Sequence, residues 1–263
     1  MAQTILDRIP PGADARISYG PHALRFADLR LPKGSGPHPC IVAIHGGFWR
    51  NRYSLDHLGH LCAALTGLGF ATWNIEYRRV GDAGGGWPGT FHDVAAGAAY
   101  LFHHAPKLGI DPARVAILGH SAGGHLALWL ATRPGLPGDA PGAAPAVAVA
   151  AAVSQAGVAD LRASEEAGLG GGAAAALLGG SPTAVPERYD LGSPIERLPT
   201  GVPTLCVHGR GDRIVPIAQS EAWVAASTAA GDEAELVTFA GGHFEVLDPG
   251  HESWQAVVEK MLT

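Results

Sequence analysis

The pentapeptide Gly119-His120-Ser121-Ala122-Gly123 directly follows the strand-like run Arg114-Val115-Ala116-Ile117-Leu118. A serine flanked by glycines at the end of a buried strand suits a sharp strand-to-helix turn. Such a turn holds the serine at positive φ and leaves no room for side chains two residues away on either side. The next segment, Gly124-His125-Leu126-Ala127-Leu128-Trp129-Leu130, reads as a helix, and the free amides of its first turn face the serine. Ser121 is therefore expected as a nucleophile whose Oγ points out of the sheet towards substrate.

Attack by a serine on an acyl carbon creates a negative oxygen that backbone N–H groups must meet. The β-branched run Ile41-Val42-Ala43-Ile44 ends in His45-Gly46-Gly47-Phe48-Trp49, where two glycines let the chain turn its amides towards a ligand. One donor is assigned to the amide of Ala122. The other is assigned to Gly47 or Phe48, which the sequence does not separate.

A proton acceptor and a group to orient it follow in order. The run 203–208 leads into Gly209-Arg210-Gly211-Asp212, and the run 234–239 leads into Gly241-Gly242-His243. His243 is expected to take the serine proton and return it to the leaving group, with Asp212 holding its tautomer. The order serine, acid, histidine distinguishes α/β-hydrolases from other serine hydrolases. Asp93 and Glu245 compete with Asp212. Asp93 falls near an expected helix start, where capping accounts for it, and Glu245 is too close in sequence to His243 to reach round and orient it. His45 is expected to pin its own loop. His120 and His125 are expected to pack the nucleophile helix or line the pocket. Trp49, Tyr77, Trp87 and His120 are taken as the substrate pocket, because aromatic residues in such loops stack on compact planar groups. Trp73 lies within a strand and fits the core equally well.

The elements that must position these groups alternate as βαβ units. Strands are expected over 40–45, 70–76, 114–118, 147–153, 203–208 and 234–239. Helices are expected near 55–67, 91–106, 217–229 and 251–262, and after the nucleophile. The first 15 residues read as a loose lead-in and 22–31 as an antiparallel edge strand or hairpin. One domain spans 1–263: an α/β fold with a mostly parallel central sheet, helices on both faces and a small cap insertion at 158–200. That irregular stretch is long enough to need a reason, and it follows a strand on the side where open α/β sheets carry variable inserts.

The 263-residue chain carries a net charge of −6 and only 16% charged residues, and 37 glycines and 20 prolines dilute the charge. That balance gives no support for a nucleic-acid partner. The N-terminus lacks a signal-peptide core, and the apolar stretch 143–153 is too short to span a bilayer, so a cytoplasmic protein without membrane association is expected. Cys40, Cys62 and Cys206 lie in apolar runs without motif spacing and are expected as buried free thiols. The glycine runs 81–86 and 168–172 lack the Lys-Ser/Thr ending of a phosphate loop. No metal and no cofactor are expected. The partner is a small-molecule ester or amide, and the oligomeric state is open, a homodimer being one option.

On these motifs the chain resembles the α/β-hydrolase superfamily, in particular its small esterase and arylformamidase (kynurenine formamidase-like) branch. Its catalytic core is also similar to that of prolyl oligopeptidase-type peptidases. His45 to Trp49 resembles the oxyanion loop, Gly119 to His125 the nucleophile segment, Glu76-Tyr77-Arg78-Arg79 the segment ending the fourth strand, Asp212 the acid and His243 the base. Phe48, where many lipase-like members have a third glycine, moves the resemblance towards the formamidases. The resemblance implies a serine carboxylesterase acting on short-chain or aromatic esters through an acyl-enzyme. Its alternatives are an arylformamidase, a small serine peptidase and a non-catalytic binding protein on the same fold.

Overall fold

The computed structural model describes residues 5–143 and 147–262. Eight strands form one sheet in the order β1-β2-β4-β3-β5-β6-β7-β8. They are β1 (Ala15–Ser18), β2 (Phe26–Arg30), β3 (His38–Ile44), β4 (Ala71–Ile75), β5 (Ile110–His120), β6 (Ala152–Gln155), β7 (Thr204–Gly209) and β8 (Ala234–Phe239). The β1–β2 and β2–β4 pairs are antiparallel, and every later pair is parallel. This is the α/β-hydrolase arrangement, a mostly parallel sheet covered by helices.

The central strands are apolar on both sides because two cores sandwich them. Along β3, Cys40, Val42 and Ile44 enter one core while Ile41 and Ala43 enter the other. Along β5, Val115 and Ile117 divide from Ala116 and Leu118 in the same way. Each Val, Leu or Ile among them contributes about 1.5–3 kcal/mol on burial, so a one-residue slip would be strongly disfavoured. The register Ile44↔Gly119 brings the ends of β3 and β5 side by side. The candidate oxyanion loop and the candidate nucleophile therefore leave the sheet at one point.

The helices are α1 (Gly59–Gly67), α2 (Gly89–His104), α3 (Ala122–Thr132), α4 (Leu161–Glu166), α5 (Ala173–Leu178), α6 (Pro186–Gly192), α7 (Ala218–Ala229) and α8 (Ser253–Leu262). Two expectations need correction. The strand expected over 147–153 pairs as β6 only from Ala152, because residues before it carry just isolated bonds, such as Ala150 N to Val115 O. Residues 144–146 of the apolar stretch lie outside the described residues. The lead-in ends at β1, as expected, but it is not loose throughout: a 3-10 turn, Ile5–Asp7, buries Ile5, and β1 then pairs with β2. The 158–200 stretch, expected to be partly helical, contains α4, α5, α6 and a 3-10 turn, Pro194–Arg197. Its helices are too short for their pattern to be read against so many alanines and glycines.

All three cysteines are free and buried, and burial pushes the Cys62 and Cys206 thiols up to about 12. Thiols so placed stay protonated and inert at neutral pH. Among the described residues, no helix is long and apolar enough to cross a membrane.

Candidate active site

Ser121 sits at φ 56° and ψ −119° between the end of β5 and the start of α3. A side chain at Gly119 would run into the carbonyl of Gly123, and one at Gly123 into that of Ile44. The two glycines are thus a steric requirement of the turn. The Ser121 amide donates to Gln155 O at 2.8 Å, and the His125 amide donates to Ser121 O at 3.1 Å. These bonds hold a backbone conformation that costs about 1–3 kcal/mol for a non-glycine residue. Phe48 and Trp49, in the facing loop, are also left-handed, at φ 51° and 54°.

No described residue accepts from the amides of Gly47, Phe48 or Ala122. Their loop is fixed from beneath. His45 Nδ1 lies 2.8 Å from Gly46 O and Nε2 3.0 Å from Glu76 Oε1, and the Tyr77 hydroxyl donates to His45 O at 2.9 Å. The His45 and Tyr77 rings stack 4.5 Å apart. Glu76 also accepts from the amides of Tyr77 and Leu55, and pairs with Arg79. Burial alone would raise the Glu76 carboxyl. His45, Arg79 and the Tyr77 amide outweigh it and hold the group below its ordinary range.

His243 follows β8 and is buried, its Nδ1 2.7 Å from Asp212 Oδ2. The Nδ1–H donates to the carboxylate, which leaves Nε2 as the nitrogen able to exchange a proton. Asp212 Oδ1 accepts from the amides of Ile214 at 2.8 Å and Val215 at 2.9 Å. His208 Nε2 lies 3.3 Å from Oδ2. Burial opposes the Asp212 charge, but these donors prevail and depress its pKa. Glu245 turns instead to the amides of Gly242 and Phe244. Asp93 caps no helix: it is buried inside α2 and pairs with Arg78 and Arg25.

His120 Nε2 donates to the carbonyl of His243 at 2.8 Å, and His57 Nε2 donates to His120 Nδ1 at 3.1 Å. This two-imidazole strut ties the residue before Ser121 to the loop that carries His243. Burial pushes His57 down to about 3 and His120 well below its ordinary value, so both rings are neutral.

Three of the four residues expected to line a pocket take other places, and Trp87 stays partly exposed. His120 belongs to the strut. Trp49 and Tyr77 are wholly buried, with Trp49 Nε1 donating to His125 Nδ1 at 3.2 Å. Loops that must stay rigid place their large aromatics inward, where burial stabilises them most. Trp87 is half-buried against Phe91, and its amide donates to Leu177 O of α5 at 2.7 Å. The 158–200 stretch meets the oxyanion loop twice: Arg50 Nη2 donates to Gly170 O, and Gly170 packs on the Phe48 ring. His125 Nε2 donates to Gly192 O at 2.8 Å and links the nucleophile helix to α6.

Sequence reading missed His57, His208 and the hub role of Glu76. His57 lies among Leu55, Leu58, Leu61 and Leu65, whose helical spacing marks a buried face. His208 and Glu76 are polar residues at the ends of apolar strands, and such residues sit at the sheet edge where α/β sites form.

The BD-FAE family profile matches residues 27–226, most of the chain, including the oxyanion loop, the elbow and Asp212. The chain belongs to the BD-FAE family. His243 of this BD-FAE chain lies beyond the matched segment, and the tertiary structure brings it to the site. A curated relative, the probable carboxylic ester hydrolase LipM of Mycobacterium tuberculosis, is 33% identical over 131 residues, 47% of this chain and 29% of LipM. The match thus spans less than a third of that relative's length. Among solved structures, a truncated carbohydrate esterase from gut microbiota superposes with a TM-score of 0.80 at 24% identity, covering 97% of this chain and 96% of that one. The bifunctional GH43-CE of Bacteroides eggerthii gives 0.82 at 25% identity, covering 94% of this chain and 35% of that one.

The buried groups set an acid limit on stability. A histidine kept neutral by burial resists folding once pH falls below its unfolded value, and the cost grows down to its folded pKa. For His57 and His125 that window runs from the ordinary histidine value of 6.5 down to about 3 and about 4. Asp212 and Glu76 act in the same direction lower down. Their depressed folded values contribute stability that is present above the ordinary carboxylate values, 3.8 and 4.5, and lost as pH falls through the folded ones. Urea midpoints should therefore decline steadily from pH 7 to pH 4, and His57→Gln should flatten the slope between pH 6.5 and 5. An unchanged slope would remove His57 from this account.

Proposed function

We propose that this protein is a serine carboxylesterase that hydrolyses esters of compact acyl groups through a covalent acyl-enzyme on Ser121. The observation that carries the reading is the 2.7 Å His243–Asp212 pair on loops beside the strained Ser121 elbow. His243 Nε2 takes the Ser121 proton as Oγ attacks the ester carbonyl. The resulting oxyanion is met by the amide of Ala122 and that of Gly47 or Phe48. Nε2 then returns the proton to the alcohol as the C–O bond breaks, and water repeats the sequence to release the acid.

Two features support a compact acyl group. The Phe48 ring is pressed on Gly170, and the Trp49–His125–Gly192 chain fills the space between the oxyanion loop and α6. On this reading the 158–200 segment caps the site. LipM's description as a carboxylic ester hydrolase agrees in reaction class.

The same groups could cleave an activated formamide, so the test compares substrates directly. The kcat/KM for p-nitrophenyl acetate and for a feruloyl ester should each exceed that for N-formylkynurenine. A preference for the formamide by about 10²-fold would make the protein an arylformamidase, since differential binding of that size marks the built-for substrate. Best activity on a long fatty acyl ester would overturn the compact site.

A further inference from the structure

We infer that His208 is a positioning residue for the reaction: its ring fastens the Asp212 turn and shares the carboxylate oxygen that His243 uses. The inference rests on the esterase reading above. His208 lies near the end of β7, in register with Thr238 of β8, and is wholly buried. Its Nε2 is 3.0 Å from Val215 O and 3.3 Å from Asp212 Oδ2. Both oxygens only accept, so the ring proton belongs on Nε2 and is shared between them. Nδ1 of the neutral ring then accepts from Ser220 Oγ of α7 at 2.8 Å. That bond, from a buried serine, fixes the tautomer and the plane of the ring.

Asp212 has one oxygen for its own turn and one for the base. Oδ1 is tied by the amides of Ile214 and Val215, and Oδ2 faces His243 Nδ1 at 2.7 Å. Without His208, Oδ2 would be held only by the ring that it must orient. His208 steadies the turn at the Val215 carbonyl and, through Oδ2, the carboxylate itself.

The shared oxygen also tunes the base. A second donor on Oδ2 takes up part of its negative charge and leaves less of it to favour the imidazolium of His243. His243 therefore stays neutral, and able to take the serine proton, down to a lower pH than it would beside an unshared carboxylate. The other titratable groups facing His243 are the His120 ring at the end of β5, 4.7 Å away, and His57 from the 3-10 turn Leu55–Leu58. Both are kept neutral by burial. Glu245, in the same loop as His243, keeps its charge and accepts from the Gly242 and Phe244 amides. None of these groups is altered by a substitution at His208.

Two substitutions separate the two nitrogens of the ring. The amide of glutamine reaches the position of Nε2, and that of asparagine only the position of Nδ1. His208→Asn should move the acid limb of kcat/KM on p-nitrophenyl acetate, where His243 loses its proton, up by about 0.5–1 pH unit. It should lower the plateau kcat by about 10-fold with KM little changed, because a small misplacement of the triad acts on the chemical step. His208→Gln should restore the limb and most of kcat. Titration of the His243 ring by NMR should show the same shift without turnover. A merely structural His208 would lower activity equally at every pH. An unmoved limb and ring titration in a folded His208→Asn protein, or equal shifts in both variants, would overturn the assignment. Should neither variant fold, the histidine ring nitrogens of the wild-type protein decide. The ring whose Nδ1 resonance moves on Ser220→Ala should carry its proton on Nε2 alone, and a proton on Nδ1 would overturn the assignment. Failure of the wild-type protein to hydrolyse the ester would defeat the esterase reading, and the ring titrations would still judge His208.

Discussion

A Ser121→Ala protein is expected to fold normally and to lose at least ~10³-fold in kcat/KM on p-nitrophenyl acetate, about 4 kcal/mol of transition-state stabilisation. Removing one buried hydroxyl adjusts little in the packing, and alanine keeps the Cβ that the elbow already accommodates. The backbone bonds from Ser121 N to Gln155 O and from His125 N to Ser121 O do not involve the side chain. The oxyanion donors and the His243–Asp212 pair would also remain. The residual rate should thus reflect water attacking with their help, and no acyl-enzyme should form. Mass spectrometry after brief exposure to the ester should show an acetyl adduct on the wild-type chain and none on the variant. Wild-type-like turnover in a folded Ser121→Ala protein would sink the proposed chemistry.

Asp212→Asn is expected to cut kcat by up to ~10⁴-fold while the protein stays folded. The carboxylate now accepts the His243 Nδ1–H at 2.7 Å. A carboxamide can still accept from Ile214 and Val215 through its oxygen, so its NH2 group would face His243. That group donates, and it would select the imidazole tautomer with its proton on Nε2. Such a ring has no lone pair on Nε2 to take the serine proton, and an imidazolium would lose its counter-charge. Glu245→Gln supplies the contrast, because among the described residues Glu245 serves only backbone amides of its own loop. It should leave kcat nearly unchanged. Circular dichroism and kcat measured on both variants decide the matter, and an active, folded Asp212→Asn protein would remove Asp212 from the mechanism.

Local sequence determined the strand-turn-helix at Ser121, because the steric demand falls on residues two positions away and glycine is there on both sides. It determined the central strands as well, whose uninterrupted apolar runs reflect burial on two faces. It also bounded the set of chemistry-bearing residues, since each motif sits at the end of such a run. The tertiary structure alone decided how those motifs meet. The β3–β5 register sets the oxyanion loop beside the elbow, and β7 and β8 bring residues 31 apart in sequence, Asp212 and His243, to 2.7 Å. Which side a loop aromatic faces was likewise undetermined locally: Trp49 and Tyr77 turn inward because His125 and the His45 carbonyl offer them partners that are distant in sequence. The 158–200 stretch resisted reading because its short helices draw their stability from packing on α3 and the oxyanion loop. Hexapeptide-length helices have too few turns to hold together by propensity alone. The His57–His120 strut was hidden for the same reason: a buried neutral imidazole is chosen by its neighbours in space, and neither of its hydrogen bonds joins residues close in the chain.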